Sequence, residues 1–159
     1  MSGATNKLTR DLITFLIYTG CRKGEALNLK WDDVDLSNNV IAIKGTKTNY
    51  DRYIPIHSKL QELLFGLYSD SREYVFNIGG KKLTDFKRSF YTACRNDGLK
   101  DMHIHDLCHV FASKMVMNGT SLYITGELLG HRTTQMMKRY SHLVQETLKK
   151  AVDDVWGKL

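Results

Sequence analysis

The chain has 159 residues, of which 42% are apolar and 25% are charged, a composition that predicts one globular domain and excludes a disordered chain. Its 23 Lys and Arg against 17 Asp and Glu give a net charge of +6, which favours a polyanionic partner, although a merely basic surface would carry the same charge. Apolar runs stay well below the ~20 residues of a membrane span, and Cys21, Cys94 and Cys108 lack paired spacing, so we expect neither a membrane helix nor a disulfide framework, and a reducing cytoplasmic setting.

The predicted elements begin with a helix over about 10–18, which Thr9 can cap and Gly20 ends, followed by a short helix over 23–29. Two β-prone runs at 40–44 and 52–56 flank turn residues, which predicts a hairpin with Lys47 in or near its loop and Pro55 on an edge strand. Further helices are predicted over about 58–68, 83–96, 105–118, 121–129, 134–141 and 144–157. The predicted class is mainly α with a small antiparallel β-sheet (α+β), in a chain without internal repeats.

Two basic residues stand where they could reach a bound anion. Arg22 follows the break at Gly20 and begins a helix, so its guanidinium is well placed to face a phosphate group. Lys47, on a hairpin loop, could donate a proton or contact a phosphate when the loop closes over a bound strand. Taken alone, each of these residues is more typical of a solvated surface.

His105, Cys108 and His109 have i, i+3 and i+4 spacing, so they share one face of a predicted helix. In one interpretation His105 activates a nucleophile or binds a phosphoryl oxygen, while His109 is structural. In the other, these three residues and His103 hold a metal such as zinc, whose ligands include imidazole and thiolate. No CxxC or HExxH motif supports the metal interpretation.

Tyr140 follows His131 in the chain and has basic and polar neighbours in sequence. A tyrosine with a pKa of ~10 is a poor nucleophile at neutral pH unless such neighbours help to remove its proton. Lys138, Arg139 and His142 could do so. Phosphoryl transfer also needs positioned cations at the non-bridging oxygens and a proton donor for the leaving 5′-hydroxyl. The candidates for these tasks, in chain order, are Arg22, Lys47, His105, His131 and Tyr140.

Five sequence blocks resemble, in order, the catalytic domain of the tyrosine recombinases, also called the phage integrase family. The blocks are 19–27, Lys47 with 52–55, 105–113, 129–131 and 139–142. The resemblance implies the fold of that domain, double-stranded DNA as partner, no cofactor and no metal. It also implies site-specific recombination through a transient 3′-phosphotyrosyl link, in integration or excision of a mobile element. The implied roles are Tyr140 as nucleophile, Arg22 as phosphate clamp oriented by Glu25, His105 and His131 as phosphate contacts, and Lys47 as general acid.

Cys108 departs from the family pattern, in which His-x-x-Arg places a second phosphate-clamping arginine at this position. A thiol cannot supply a cationic fork, and loss of such an arginine costs on the order of 10³-fold in phosphoryl transfer. We therefore expect impaired activity. The alternatives are an inactive DNA-binding relative, a metal-binding His/Cys domain, and a nicking enzyme resembling type IB topoisomerases.

The expected organisation is one catalytic domain over 1–159 without the family's N-terminal DNA-gripping domain, so that DNA binding would be weak and mostly through phosphates. Residues 144–159 are predicted to form a tail helix with an apolar stripe at helical spacing. Periodicity predicts burial of this stripe without saying against what. It packs either on its own core or, as the resemblance implies, on a neighbouring protomer bound to DNA.

Overall fold

The computed structural model describes residues 4–45, 51–69, 72–130 and 138–144. The α-helices in these ranges are α1 (Ala4–Thr19), α2 (Lys23–Asn28), α3 (Ser58–Leu67), α4 (Lys87–Asn96), α5 (Asp106–Met117) and α6 (Leu122–Leu129). The strands are β1 (Val34–Asp35), β2 (Val40–Ile43), β3 (Arg52–Pro55), β4 (Asn77–Ile78) and β5 (Lys81–Lys82), and 3-10 helices cover Trp31–Asp33 and Lys138–Leu143. Within the described part of the chain, no helix is both long and apolar enough to cross a membrane.

The strands form one three-stranded antiparallel sheet in the order β1-β2-β3 and a separate β4-β5 hairpin. β2 pairs with β3 from Val40 opposite Pro55 to Ile43 opposite Arg52. Pro55 therefore lies on an edge strand of this sheet, as predicted, where its missing N–H does little harm. The predicted hairpin is confirmed, whereas Lys47 lies in its connection at 46–50, outside the described residues.

The predicted class, mainly α with a small antiparallel sheet, is confirmed, and the differences lie at the ends of elements and in short strands that were not predicted. The prediction that Thr9 caps a helix from residue 10 is wrong, because α1 begins at Ala4 and buries Thr9 within it. An i,i+4 ion pair between Lys7 and Asp11, at 2.9 Å, supports the additional turns. The start predicted for α4 at residue 83 is also wrong.

The residues before α4 continue the β4-β5 hairpin instead of the helix. The backbone N–H of Leu83 donates to the carbonyl of Phe76 at 3.0 Å, and α4 begins only at Lys87. Neither this hairpin nor β1 was predicted. The helix predicted over 134–141 is described only from residue 138, where the backbone is a 3-10 helix, and the predicted tail helix lies outside the described residues beyond residue 144.

Two apolar clusters hold the described fold together. The larger one packs α1, α3 and α4 against the three-stranded sheet, around the fully buried rings of Phe15, Phe76 and Phe90. The smaller one joins α5, α6 and the 3-10 helix Lys138–Leu143, and it includes the ring of Tyr140. The segment between α1 and α2 runs from the first cluster towards the second.

Gly20 connects this segment to the smaller cluster. Its φ is +66°, and a Cβ at this position would lie 2.6 Å from Phe111 Cδ1 and 2.8 Å from Leu129 Cδ2. Glycine alone combines the left-handed backbone with such a close approach. The turn that ends α1 therefore brings Arg22, two residues later, close to α5 and α6.

Candidate active site

Arg22 stands at the start of α2 and is held by Glu25, one turn later. The backbone N–H of Arg22 donates to Glu25 Oε2 at 2.7 Å, and its Nη1 donates to Oε1 at 3.1 Å. A carboxylate in the first turn of a helix is also favoured by the helix dipole. Because 47% of the Arg22 side chain is exposed, the guanidinium can contact an external anion while Glu25 orients it.

A second arginine, Arg52 of β3, binds the same carboxylate from the interior. Its Nη1 and Nη2 donate to Oε1 and Oε2 of Glu25 at 3.0 and 2.7 Å, and its Nε donates to the carbonyl of Leu128 at 2.9 Å. A Cβ on Gly130, whose φ is +66°, would lie 3.0 Å from Arg52 Nη1. Arg52 thus connects β3, α2 and the end of α6. We refer to Arg22, Glu25 and Arg52 as the arginine cluster.

The charges of the arginine cluster support one another. Burial opposes ionisation of Glu25, but the hydrogen bonds and charge of Arg52, together with those of Arg22, lower the pKa of Glu25 below its ordinary value. Burial also opposes the Arg52 cation, yet the bonds to Glu25 raise the pKa of Arg52. Both groups are therefore ionised at neutral pH, and two guanidiniums around one carboxylate leave a net positive charge beside the exposed face of Arg22.

Tyr140 packs against α5 in the smaller apolar cluster and is only 4% exposed. Its hydroxyl contacts His109 Nδ1, and the other ring nitrogen of His109, Nε2, lies 2.9 Å from Arg139 Nη1. Burial raises the pKa of Tyr140 above its ordinary value, while the positive charge of Arg139 acts in the opposite direction. The resting hydroxyl is therefore protonated. We refer to His109, Arg139 and Tyr140 as the tyrosine cluster.

Cys108 lies between the two clusters, on α5. It is 7% exposed, and its Sγ donates to the carbonyl of Cys21 at 3.1 Å. Burial, with a smaller contribution from the charge of Glu25, raises the pKa of Cys108 to about 11, so that the thiol is neutral. The charges of both cluster arginines act on this thiol, and ionisation of the thiol would raise the pKa of Tyr140. Position 108 therefore adjoins both clusters but adds no positive charge between them.

The four residues of the metal interpretation, His103, His105, Cys108 and His109, contact different groups. His103 lies beside Asp106, with Nδ1 3.6 Å from Oδ2, while Cys108 bonds to a backbone carbonyl. His105 is exposed and sets its ring edge-on to that of His109, with 4.9 Å between the centroids. Among the described residues, no three or more His, Cys, Asp or Glu are grouped in a way that could hold a metal ion. The geometry therefore gives the metal interpretation no support.

Of the residues singled out from the sequence, the structure places Arg22 and Tyr140 in clusters that adjoin Cys108, and it places His105 against His109. Lys47 and His131 lie in 46–50 and 131–137, outside the described residues. The sequence reasoning gave no role to Arg52. Arg52 and the buried Ile54 are two residues apart in β3, and residues at this spacing face the same side of a strand. This spacing was a usable signal that Arg52 faces the interior.

His109 was assigned only a structural or metal-binding part. Its contact with Tyr140 joins residues 31 positions apart, which helical spacing cannot reveal.

Known proteins resemble this chain in sequence over most of its length. The model of the phage integrase family matches residues 2–147. The tyrosine recombinase XerC of Staphylococcus carnosus is 30% identical over 152 residues, covering 89% of this chain and 51% of the relative. The chain therefore spans about half the length of the curated relatives that it matches.

Solved structures share the fold, among them two that are 27% identical to this chain. One is the catalytic domain of bacteriophage HP1 integrase, with a TM-score of 0.71 and 27% identity, over 96% of this chain and 92% of that chain. The other is the XerH site-specific recombinase bound to a palindromic difH substrate in a post-cleavage complex. It has a TM-score of 0.76 and 27% identity, over 96% of this chain and 47% of that chain. The fold is therefore that of a recombinase catalytic domain.

Proposed function

Because the chain belongs to the phage integrase family, as its five sequence blocks predicted, we propose that it is the DNA-cleaving and rejoining domain of a site-specific recombinase. The observation that carries the proposal is the buried hydroxyl of Tyr140 on one side of Cys108, with the positively charged arginine cluster on the other. The proposed process is integration or excision of a mobile element. The likeness to the HP1 integrase domain supports this process, and the likeness to XerH in a post-cleavage complex supports DNA cleavage.

In the proposed reaction, Tyr140 Oη attacks the scissile phosphorus while its proton leaves to solvent. The Oη–P bond forms as the bond between phosphorus and the 5′-oxygen breaks, and Lys47 gives that oxygen its proton. Arg22, oriented by Glu25, stabilises the charge on the non-bridging oxygens. The phosphotyrosyl ester preserves the phosphodiester bond energy, so rejoining needs no ATP. The role of Lys47, and of His105 and His131 as phosphate contacts, follows from the family resemblance.

The proposal includes impaired cleavage, because Cys108 occupies the position of the family's second clamping arginine. The thiol is neutral and donates to a backbone carbonyl, so it offers no cation to the phosphate. An inactive, DNA-binding relative is the second candidate, and the same substitution favours it. The two candidates differ only in whether the parent chain retains measurable cleavage.

The proposed partner is double-stranded DNA in a bacterial cytoplasm, for a protein of bacterial or phage origin. The net charge of +6 supports a polyanionic partner, and the Staphylococcus carnosus and bacteriophage HP1 relatives support the setting. We propose in addition that residues 144–159 dock on a neighbouring protomer of the DNA-bound assembly. The apolar stripe of this segment at helical spacing supports the docking proposal.

The test is covalent trapping on nicked duplexes from a pool of randomised sites, with a protease-sensitive, gel-shifted adduct as the readout. The proteins are the parent, Cys108→Arg, Cys108→Lys, and Tyr140→Phe in both the Cys108 and the Cys108→Arg backgrounds. We expect Cys108→Arg to increase the adduct rate by about 10³-fold, since it restores the cationic fork. Cys108→Lys restores charge without the fork and should gain far less.

Tyr140→Phe should abolish the adduct in both backgrounds. An adduct that survives this change would show that another residue is the nucleophile. A parent adduct as fast as that of Cys108→Arg would reject the proposed impairment. An adduct seen only with Cys108→Arg would favour the inactive DNA-binding relative.

A further inference from the structure

The hydroxyl of Tyr140 contacts His109, and a third residue, Arg139, determines which ring nitrogen of His109 carries the hydrogen. His109 of α5 contacts Tyr140 Oη through Nδ1, and its Nε2 lies 2.9 Å from Nη1 of Arg139. The histidine thus bridges the nucleophile and a guanidinium, with one ring nitrogen facing each. This arrangement differs from both parts that the sequence suggested for His109, a structural residue or a metal ligand.

The guanidinium decides which nitrogen of His109 carries the hydrogen. Every polar atom of a guanidinium is a donor, so His109 Nε2 must accept the hydrogen bond from Arg139. A neutral imidazole has a single N–H, which therefore lies on Nδ1. Nδ1 donates to Oη, and Tyr140 accepts with one lone pair. The tyrosine's own hydrogen is consequently free to point away from the imidazole.

The surroundings keep His109 neutral. Burial lowers the pKa of His109 below its ordinary value, and electrostatic interactions with His105 and Arg139 lower it further. On the same helix, Asp106 acts in the opposite direction with a smaller effect. A protonated His109 would also lose its bond from Arg139, since both ring nitrogens would then be donors. His109 is for these reasons a poor acceptor for the tyrosine proton.

We propose that His109 is a catalytic residue that donates a hydrogen bond from Nδ1 to Oη of Tyr140 during attack on DNA, in its Arg139-fixed tautomer. The proposal rests on the proposed function. The Nδ1–H bond stabilises negative charge on Oη as the hydroxyl proton leaves to solvent. The Oη–P bond then forms, the bond to the 5′-oxygen breaks, and that oxygen takes its proton from Lys47. The imidazole keeps its own proton throughout, so no proton is gained or lost at His109.

The first test observes the tautomer directly in the 159-residue chain. Long-range NMR correlations on protein with 15N-labelled histidine distinguish Nδ1–H from Nε2–H, and the signal missing in His109→Asn assigns the residue. We expect Nδ1–H in the parent. Arg139→Gln removes the obligatory donor and should produce a mixture of tautomers. An Nε2–H signal in the parent would overturn the proposal, because Tyr140 would then be the donor to His109.

The second test separates donation from packing. His109→Leu keeps the bulk of the ring without a donor, whereas His109→Asn places an amide N–H close to where Nδ1 stands. We expect the adduct rate to fall about 10- to 100-fold in His109→Leu and to recover largely in His109→Asn, as for a hydrogen bond to a charged oxygen. The pKa of Tyr140, followed by 13C-labelled tyrosine NMR, should rise in His109→Leu and return towards the parent value in His109→Asn.

Equal rates and equal Tyr140 titrations in the two variants would overturn the proposal. The proposal would also be overturned if the adduct rate of the parent fell at low pH and this fall were lost in both variants. Such a fall would identify His109 as a general base. If cleavage is too slow to measure, the rates are compared in the Cys108→Arg background. If that protein forms no Tyr140-dependent adduct, the proposed function fails, and the tautomer and the Tyr140 titration still decide what His109 does.

Discussion

The arginine cluster and the tyrosine cluster flank the same cysteine and are built in opposite ways. In the first, Glu25 and Arg52 are ionised, their side chains are 19% and 8% exposed, and two parallel hydrogen bonds join them. In the second, single hydrogen bonds join a neutral imidazole and a phenol, and Arg139 is exposed. Breaking a buried ion pair is costly, whereas one hydrogen bond contributes on the order of 1 kcal/mol. It follows that, of these two polar clusters, the arginine cluster should be the more costly to break, whereas changes in the tyrosine cluster should affect mainly the chemistry of the nucleophile.

The largest effect should come from Arg52→Met, compared with Arg139→Met. Arg52→Met leaves Glu25 partly buried without its bidentate partner and removes the bond to the carbonyl of Leu128. The free energy of unfolding should fall by about 3–5 kcal/mol. Arg139→Met removes an exposed arginine and should change it by less than about 0.5 kcal/mol. Urea denaturation of the two variants and the parent measures both values.

The double variant Glu25→Leu/Arg52→Met shows whether the loss comes from an uncompensated charge. Replacing both members of a buried pair by apolar groups is often close to neutral, so part of the lost stability should return. Equal losses in Arg52→Met and Arg139→Met would contradict the distinction between the clusters. Arg52→Lys keeps the charge without the forked guanidinium, and its free energy of unfolding should lie between those of the parent and Arg52→Met.

A smaller effect is expected where the segment carrying Arg22 meets the smaller apolar cluster. Gly20→Ala would place a methyl group 2.6 Å from Phe111 Cδ1 on a backbone with φ +66°, and we expect it to cost about 2–3 kcal/mol of unfolding free energy. Gly24→Ala is the matched control, since a Cβ there meets nothing within 4 Å and alanine favours the helix. The control should be neutral or stabilising by up to about 1 kcal/mol. Similar losses in both variants would mean that close contact at Gly20 is unimportant.

Among the described residues, the sequence predicted the presence of most helices and of the β2-β3 hairpin because their signals are local. Gly20 ended α1 as expected, and the β-prone run over 52–56 beside turn residues predicted β3 with Pro55 at the edge. Motif order predicted the family, and residue type predicted Arg22 and Tyr140 as candidates for the site. What the sequence could not give were contacts between distant residues.

The bond from Arg52 to Glu25 spans 27 positions and that from His109 to Tyr140 spans 31. No local period relates residues so far apart, and only the packing of α5 against its neighbours brings the second pair together. The short β4-β5 hairpin was missed for another reason, since two-residue strands carry almost no alternation.

The smallest effect is a difference in how the two clusters respond to acid. The folded-state pKa of Glu25 lies below its ordinary value of 4.5, so the stability it adds is complete above about pH 4.5 and is lost as the pH falls through the folded pKa. The pKa of His109 is likewise lowered from 6.5, so its contribution is complete above about pH 6.5 and declines as the pH falls from there. The two clusters should therefore lose stability in different pH windows.

Urea denaturation from pH 7 to pH 3.5 on the parent, Glu25→Gln and His109→Asn separates these windows. The unfolding free energy of Glu25→Gln should lie below that of the parent by a constant amount down to about pH 5. The gap should then close, because protonated Glu25 resembles glutamine. The difference between parent and His109→Asn should instead begin to change near pH 6.5. Because exposed carboxylates titrate equally in all three proteins, their effect cancels in the differences. A gap for Glu25→Gln that already narrows near pH 6.5 would mean that the acid response of the arginine cluster is controlled by the histidine, and that the two clusters are one coupled unit.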